Sequence, residues 1–198
     1  MSIVVHPSVP AQTMSEFIAL ARQKGSAMNY ASPGNGTPQH LTIELLKQVA
    51  DLKMTHVPYK GTAGAVTDLL GGRVDVASFP VHVVISHVKA GRLRMLATIG
   101  EKRTPWSPEV PTLVEQGVQG VDIDSWVGMF GPMGTPPRVV ERLTQEVTAL
   151  LTQQDVRDAL FEQGVITNPG GPQALLTTLV NDMERYRKVI ATARLTLD

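Results

Sequence analysis

Two glycine-bearing turns hold residue types suited to gripping an anion. Ser32-Pro33-Gly34-Asn35-Gly36-Thr37 stands directly before Pro38 and a helical run, and Lys60-Gly61-Thr62-Ala63-Gly64 opens a second one. Glycine lets the backbone come close to a ligand. The free N–H groups and positive dipole end of a following helix favour negative charge. Ser32, Asn35, Thr37 and Thr62 add side-chain donors, and Lys60 adds a full positive charge. A small carboxylate is the natural guest. The competing reading is an ordinary pair of capped strand-to-helix turns, which use the same residues. Neither turn closes a phosphate loop with Gly-Lys-Ser/Thr, and Gly34-Asn35-Gly36 lacks the third glycine of a dinucleotide fingerprint.

Other reactive side chains form no motif. The histidines are His6, His40, His56, His82 and His87, and no two have the i,i+4 spacing of a helical metal site. His40 falls in the first turn of a helix beside the first glycine turn, either as a surface histidine or as a ligand donor. Lys60 suits a solvated loop better than a Schiff base. Asp122 and Asp124 alternate on one face of a strand-like run, next to Ser125-Trp126. They read as a solvated strand edge, with an acid/base pair or cation site as the alternative. Phe79 and Trp126 stack on a ligand or pack in a core. With no cysteine there is no thiol nucleophile and no Cys-based zinc site. The residues therefore predict no catalytic group, no metal and no cofactor.

Eighteen basic residues balance eighteen acidic ones without any Lys/Arg cluster. That argues against a nucleic-acid or membrane-surface partner. At 198 residues, 42% of them apolar, the chain can bury a core as one large domain or two small lobes. Met1 to Pro7 has no basic n-region of a signal peptide. No stretch approaches a bilayer span, since Val81 to Val88 is broken by His82, Ser86 and His87. As written, the sequence reads as a soluble chain.

Periodicity and punctuation supply the elements that position the turns. Strands are expected at Ser2–Val5, Ala27–Ala31, Met54–Val57, Val74–Ala77 and Leu93–Ile99, with one long strand at Val121–Phe130. Thr13 starts a helix to about Lys24 through the capping-box spacing Thr13-Met14-Ser15-Glu16. Thr37 suits an N-cap and Pro38 the first helical position, and Thr62 suits the cap of the next helix. Further helices are expected at Pro80–Lys89, Pro111–Gln116, Pro137–Thr152, Gln154–Gln163 and Pro172 to about Ala193. Repeated β-α units imply a parallel sheet, with both glycine turns at the carboxyl ends of strands, where open α/β folds bind ligands. The all-helical tail is anomalous. Val139, Val140, Leu143, Val147 and Leu150 mark one apolar stripe, and Leu175, Leu176, Leu179, Met183, Tyr186 and Ile190 another, with little sheet left to cover them.

Several segments, in order, resemble one family. They are Ala31-Ser32-Pro33-Gly34-Asn35-Gly36-Thr37-Pro38-Gln39-His40-Leu41, His56-Val57-Pro58-Tyr59-Lys60-Gly61, Asp68-Leu69-Leu70-Gly71-Gly72-Arg73-Val74 and His87-Val88-Lys89-Ala90-Gly91-Arg92-Leu93-Arg94. Val110-Pro111-Thr112, Ser125-Trp126-Val127-Gly128 and Pro132-Met133-Gly134-Thr135-Pro136 continue the match. Together, from residue 2 to about residue 192, they resemble the substrate-binding receptors of tripartite tricarboxylate transporters, the Bug family.

The resemblance implies a type II periplasmic-binding-protein-like α/β fold, with a ligand between two lobes. Residues 1–124 would be one complete parallel-sheet lobe, entered through the first crossover strand. Residues 125–198 would be the second crossover strand and the helical C-terminal remnant of the other lobe, whose N-terminal half this chain lacks. Carried over residue by residue, the binding set is Ser32, Gly34, Asn35, Gly36 and Thr37 in the first turn, Tyr59, Lys60, Gly61 and Thr62 in the second, and Phe79 and Trp126 near the cleft. Where the family often has Phe-Asp-Asn, this sequence has Ser78-Phe79-Pro80, an aromatic for an acid. The resemblance also implies a small carboxylate or related ligand, membrane transporter subunits as partners, and a periplasmic location. Uncovered tail stripes predict self-association as a homo-oligomer. A cytoplasmic effector-binding module of similar fold is the alternative. An enzyme acting on a carboxylate ranks last, for want of a nucleophile–base pair.

Overall fold

The structure is a computed structural model, and it describes residues 1–123 and 125–193. The chain divides into two units. One comprises Met1–Ser125 with the chain from Lys188 onward, and the other is Trp126–Arg187.

The first unit is built on strands β1 (Ser2–Val5), β2 (Asn29–Ser32), β3 (Thr55–Pro58), β4 (Val76–Phe79) and β5 (Arg94–Thr98), in the order β3-β2-β4-β1-β5. β2 runs parallel to both β3 and β4. The sheet is not wholly parallel as the β-α repeat predicts, because β1 lies antiparallel between β4 and β5. The β-α repeat does not fix the direction of β1, whose neighbours β4 and β5 both lie far along the chain. All four of its residues are buried, as a central strand requires.

Side-chain alternation sends each strand into two cores. Ile3, Val5, Tyr30 and Val76 join one cluster with Met14 and Phe17 of α1 (Met14–Lys24) and with Ile43 and Leu46 of α2 (Pro38–Ala50). Val4, Ala31, Ala77 and Phe79 join the other, with Ala65 and Leu69 of α3 (Thr62–Leu70) and Val84 of α4 (Val81–Lys89). Helices thus cover both faces of one sheet.

Helix starts follow the sequence with two exceptions. Thr13 accepts from the Glu16 N–H at 3.2 Å, but the Glu16 carboxylate reaches back to the Gln12 N–H, one residue short of the expected partner. Thr62 is not a cap: it is the first residue of α3, and Gly61 stands at the N-cap with no side chain to offer. The expected helix at Pro111–Gln116 is a set of turns, tied to β5 by an isolated bridge between Thr98 and Thr112.

The expected strand at Val121–Phe130 is absent among the described residues. Its alternation holds at first, with Val121 and Ile123 buried around an exposed Asp122, but the run finds no neighbouring strand. A strand needs a partner for its N–H and C=O groups. Asp124, the other half of the expected carboxylate pair, lies outside the described residues.

The second unit holds α5 (Pro137–Thr152), α6 (Gln154–Glu162) and most of α7 (Pro172–Ala193). Neither α5 nor α6 buries a single residue. Of the two apolar stripes, Val139, Leu143, Leu150, Leu176 and Met183 stand exposed, while Val140, Val147, Leu175, Leu179, Tyr186 and Ile190 are half-buried. Among the described residues no helix is long and apolar enough to cross a membrane.

Candidate functional site

The two glycine turns leave the parallel neighbours β2 and β3 side by side. They are joined directly: the Tyr59 N–H donates to the Ser32 carbonyl at 2.9 Å, and the Gly61 N–H to the Pro33 carbonyl at 2.8 Å. Gly34 has φ +153°, and a Cβ added there would lie 3.3 Å from the Tyr59 carbonyl oxygen. A side chain at that point would be strained in its backbone and tight against the neighbouring turn.

The first turn is held by its own hydroxyls. Ser32 is fully buried, and its Oγ accepts from the Gly34 N–H at 3.2 Å. Thr37 caps α2 by accepting from the His40 N–H at 3.3 Å, and its hydroxyl donates to the Gly34 carbonyl at 2.8 Å. Gly36 has φ +72°, and its N–H donates to Nδ1 of His40 at 3.0 Å. Asn35 is exposed. Among the described residues the backbone N–H groups of Asn35 and Gln39 have no hydrogen-bond partner. Pro38 at the first helical position has no N–H to satisfy. The hydroxyls of Ser32 and Thr37 thus shape the turn, while the Asn35 and Gln39 N–H groups and the positive end of the helix dipole are left uncompensated.

The second turn lacks a capping side chain, so the first N–H groups of α3 have no cap. Lys60 is exposed, and Thr62 is half-buried at the helix start. The Tyr59 hydroxyl is turned to its own scaffold, donating to Oδ2 of Asp68 at 2.6 Å. Arg73 holds the other oxygen of Asp68 at 2.6 Å. Burial, and then the bond to Asp68, push the Tyr59 phenol up to about 12.

Phe79 and Trp126 sit elsewhere. Phe79 is fully buried in the core under α3 and α4, and its carbonyl accepts from the Ser2 hydroxyl at 2.9 Å. Trp126 belongs to the second unit, where its Nε1–H donates to Asp182 at 2.7 Å.

Sequence reasoning missed the cluster behind the first turn. His40 is not a surface histidine but 4% exposed, and its ring stacks on His56 with centroids 4.0 Å apart. Tyr30 stacks on His56 at 4.7 Å, nearly parallel. The Tyr30 hydroxyl donates to Glu44, which also pairs with Lys47 at 2.5 Å. Burial first, then that carboxylate, hold the Tyr30 phenol well above the usual tyrosine range. Burial and the neighbouring His40 bring the His56 imidazole down to about 4. The signal was in the spacing: His40, Glu44 and Lys47 lie at i, i+4 and i+7 on one helix face. Tyr30 and Ser32 share one face of β2.

Known proteins match nearly the whole length of this chain. A family model, the tripartite tricarboxylate transporter family receptor (TctC), matches residues 1–195. The UPF0065 protein in the tcbD-tcbE intergenic region of Pseudomonas sp. (strain P51) is 37% identical over 94% of this chain. This chain spans 57% of that protein's length. Among solved structures, R. palustris Rpa4515 with adipate is 32% identical with a TM-score of 0.91, over 97% of this chain and 64% of its own. The periplasmic binding protein BugD is 27% identical with a TM-score of 0.87, over 97% of this chain and 65% of its own. With the family model matched almost from end to end, the chain belongs to the tripartite tricarboxylate transporter receptor family.

Proposed function

We propose that this chain forms the two-turn side of a receptor for a small carboxylate, binding it without covalent chemistry. The observation that carries the reading is the pair of hydrogen bonds joining the turns at Ser32–Tyr59 and Pro33–Gly61. They set two helix starts side by side, with N–H groups at Asn35 and Gln39 available and α3 uncapped. Two dipole ends and the Lys60 charge favour one anion between them. Ser32, Gly34, Gly36, Thr37, Tyr59 and Gly61 shape that site, and Asn35, Lys60 and Thr62 supply donors. The adipate of the R. palustris relative supports a dicarboxylate as the guest. The family supports delivery to a tripartite transporter, and BugD supports a periplasmic setting.

Isothermal titration with adipate, malate, succinate and benzoate tests the reading. Saturable heat with at least one dicarboxylate is expected, weakened about tenfold in Thr37→Ala, since one tenfold step is about 1.4 kcal/mol. No heat from any of them, with the chain shown folded by circular dichroism, overturns it.

The exposed stripes on α5 and α7 support a further partner, a second copy of the chain. Light scattering at micromolar concentration is expected to show a dimer or larger, and a clean monomer removes this part.

A further inference from the structure

The first turn is shaped from behind by a pair of imidazoles. His40 takes the Gly36 N–H on Nδ1 at 3.0 Å, so that nitrogen carries a lone pair and the neutral ring bears its proton on Nε2. His56, stacked on His40 at 4.0 Å and 8° between planes, meets the Ser32 hydroxyl through Nε2 at 2.7 Å. The Ser32 oxygen in turn accepts from the Gly34 N–H at 3.2 Å. The two rings thus reach both ends of the segment from Ser32 to Gly36.

We propose that His40 is a positioning residue of the binding turn: by accepting the Gly36 N–H, with His56 stacked behind it on Ser32, it fixes which backbone donors of the turn face a ligand. Gly36 is drawn inward, leaving the N–H groups of Asn35 and Gln39 as the turn's donors. A proton on Nδ1 of His40 would set N–H against N–H and release Gly36. The groups facing the pair are Tyr30 of β2 and Glu44 and Lys47 of α2. Glu44 favours a proton on the rings, but its carboxylate already holds the Tyr30 hydroxyl and the Lys47 ammonium. Burial and Lys47 oppose that proton, and the imidazole of His40 lies below its ordinary range. The turn therefore keeps its shape at neutral pH and loses it in acid. The geometry stands by itself, whereas the consequence for affinity rests on the receptor reading above.

Long-range proton–nitrogen spectra of the labelled full chain read the ring states directly. At about pH 7.5 His40 is expected as the neutral Nε2–H form, with the Gly36 amide exchanging at least about tenfold more slowly than that of Asn35. On acidification the Gly36 amide shift should follow the titration of His40. His40→Gln, which keeps an acceptor, should bind adipate within about threefold of the unaltered chain, and His40→Leu should lose about tenfold. An Nδ1–H tautomer, or a Gly36 amide exchanging as fast as Asn35, overturns the inference. Absence of adipate heat with the expected spectra counts against the receptor reading alone.

Discussion

The Gly61 amide donates to the Pro33 carbonyl at 2.8 Å, across the gap between the ends of β2 and β3. With its companion from Tyr59 to Ser32, this bond makes two separate sequence motifs into one surface. Neither motif predicts that bond, because each turn is complete as a local structure.

Gly34→Ala should pry this surface apart. The residue has φ +153°, and the new Cβ would press on the Tyr59 carbonyl at 3.3 Å. A loss of about 1–2 kcal/mol is expected from backbone strain and the close approach. Urea denaturation measures it, and exchange of the Gly61 amide should rise with it.

Thr37→Ala removes the cap of α2 and the bond to the Gly34 carbonyl together. About 1 kcal/mol of stability should go, the usual cost of a lost cap. Thr37→Ser should restore most of it in the same denaturation experiment.

Tyr30→Phe should cost about 1–3 kcal/mol, because a buried carboxylate loses one of its two donors. The midpoint of urea unfolding should fall while the ring stack survives. Near-ultraviolet circular dichroism checks that the packing is kept.

Acid should weaken the fold before its ion pairs fail. The His56 imidazole falls from 6.5 to about 4 on folding, and that of His40 also falls. The unfolded chain therefore binds more protons between these values, so stability is complete above about pH 6.5 and declines towards pH 4. Asp68, held low by Arg73 and Tyr59, and Glu115, held low by the Thr112 N–H and Arg103, add their loss only below the ordinary carboxylate range. Melting temperatures from pH 8 to about pH 4 should show the first decline, and His56→Gln should flatten it.

Strand-to-helix punctuation was legible at several local positions, though not at Thr62 or over Pro111–Gln116. Thr37 caps, Pro38 starts a helix and Gly25 ends one, because those preferences act within a single turn. The direction of β1 was not legible, since its partners lie more than seventy residues away: Ser2 faces Phe79 on one side and Thr98 on the other. The alternation at Val121–Phe130 predicts a strand, but it says nothing about whether a neighbouring strand exists. In the site, the glycines were visible as types. The inward turn of Gly36 was not, because it depends on an imidazole from the next helix and a ring from the next strand. Phe79 shows the same limit: an aromatic beside a turn looks the same in sequence whether it faces a ligand or the core.

The antiparallel placement of β1 also sets the order of events during synthesis. This segment leaves the ribosome ahead of everything it will pair with, and it waits until Thr98 has emerged before both flanks exist. Its four buried residues lack a partner until β4 has emerged, and keep one edge open until β5 follows. The sheet can therefore close only after the helices that precede β5 are able to coil.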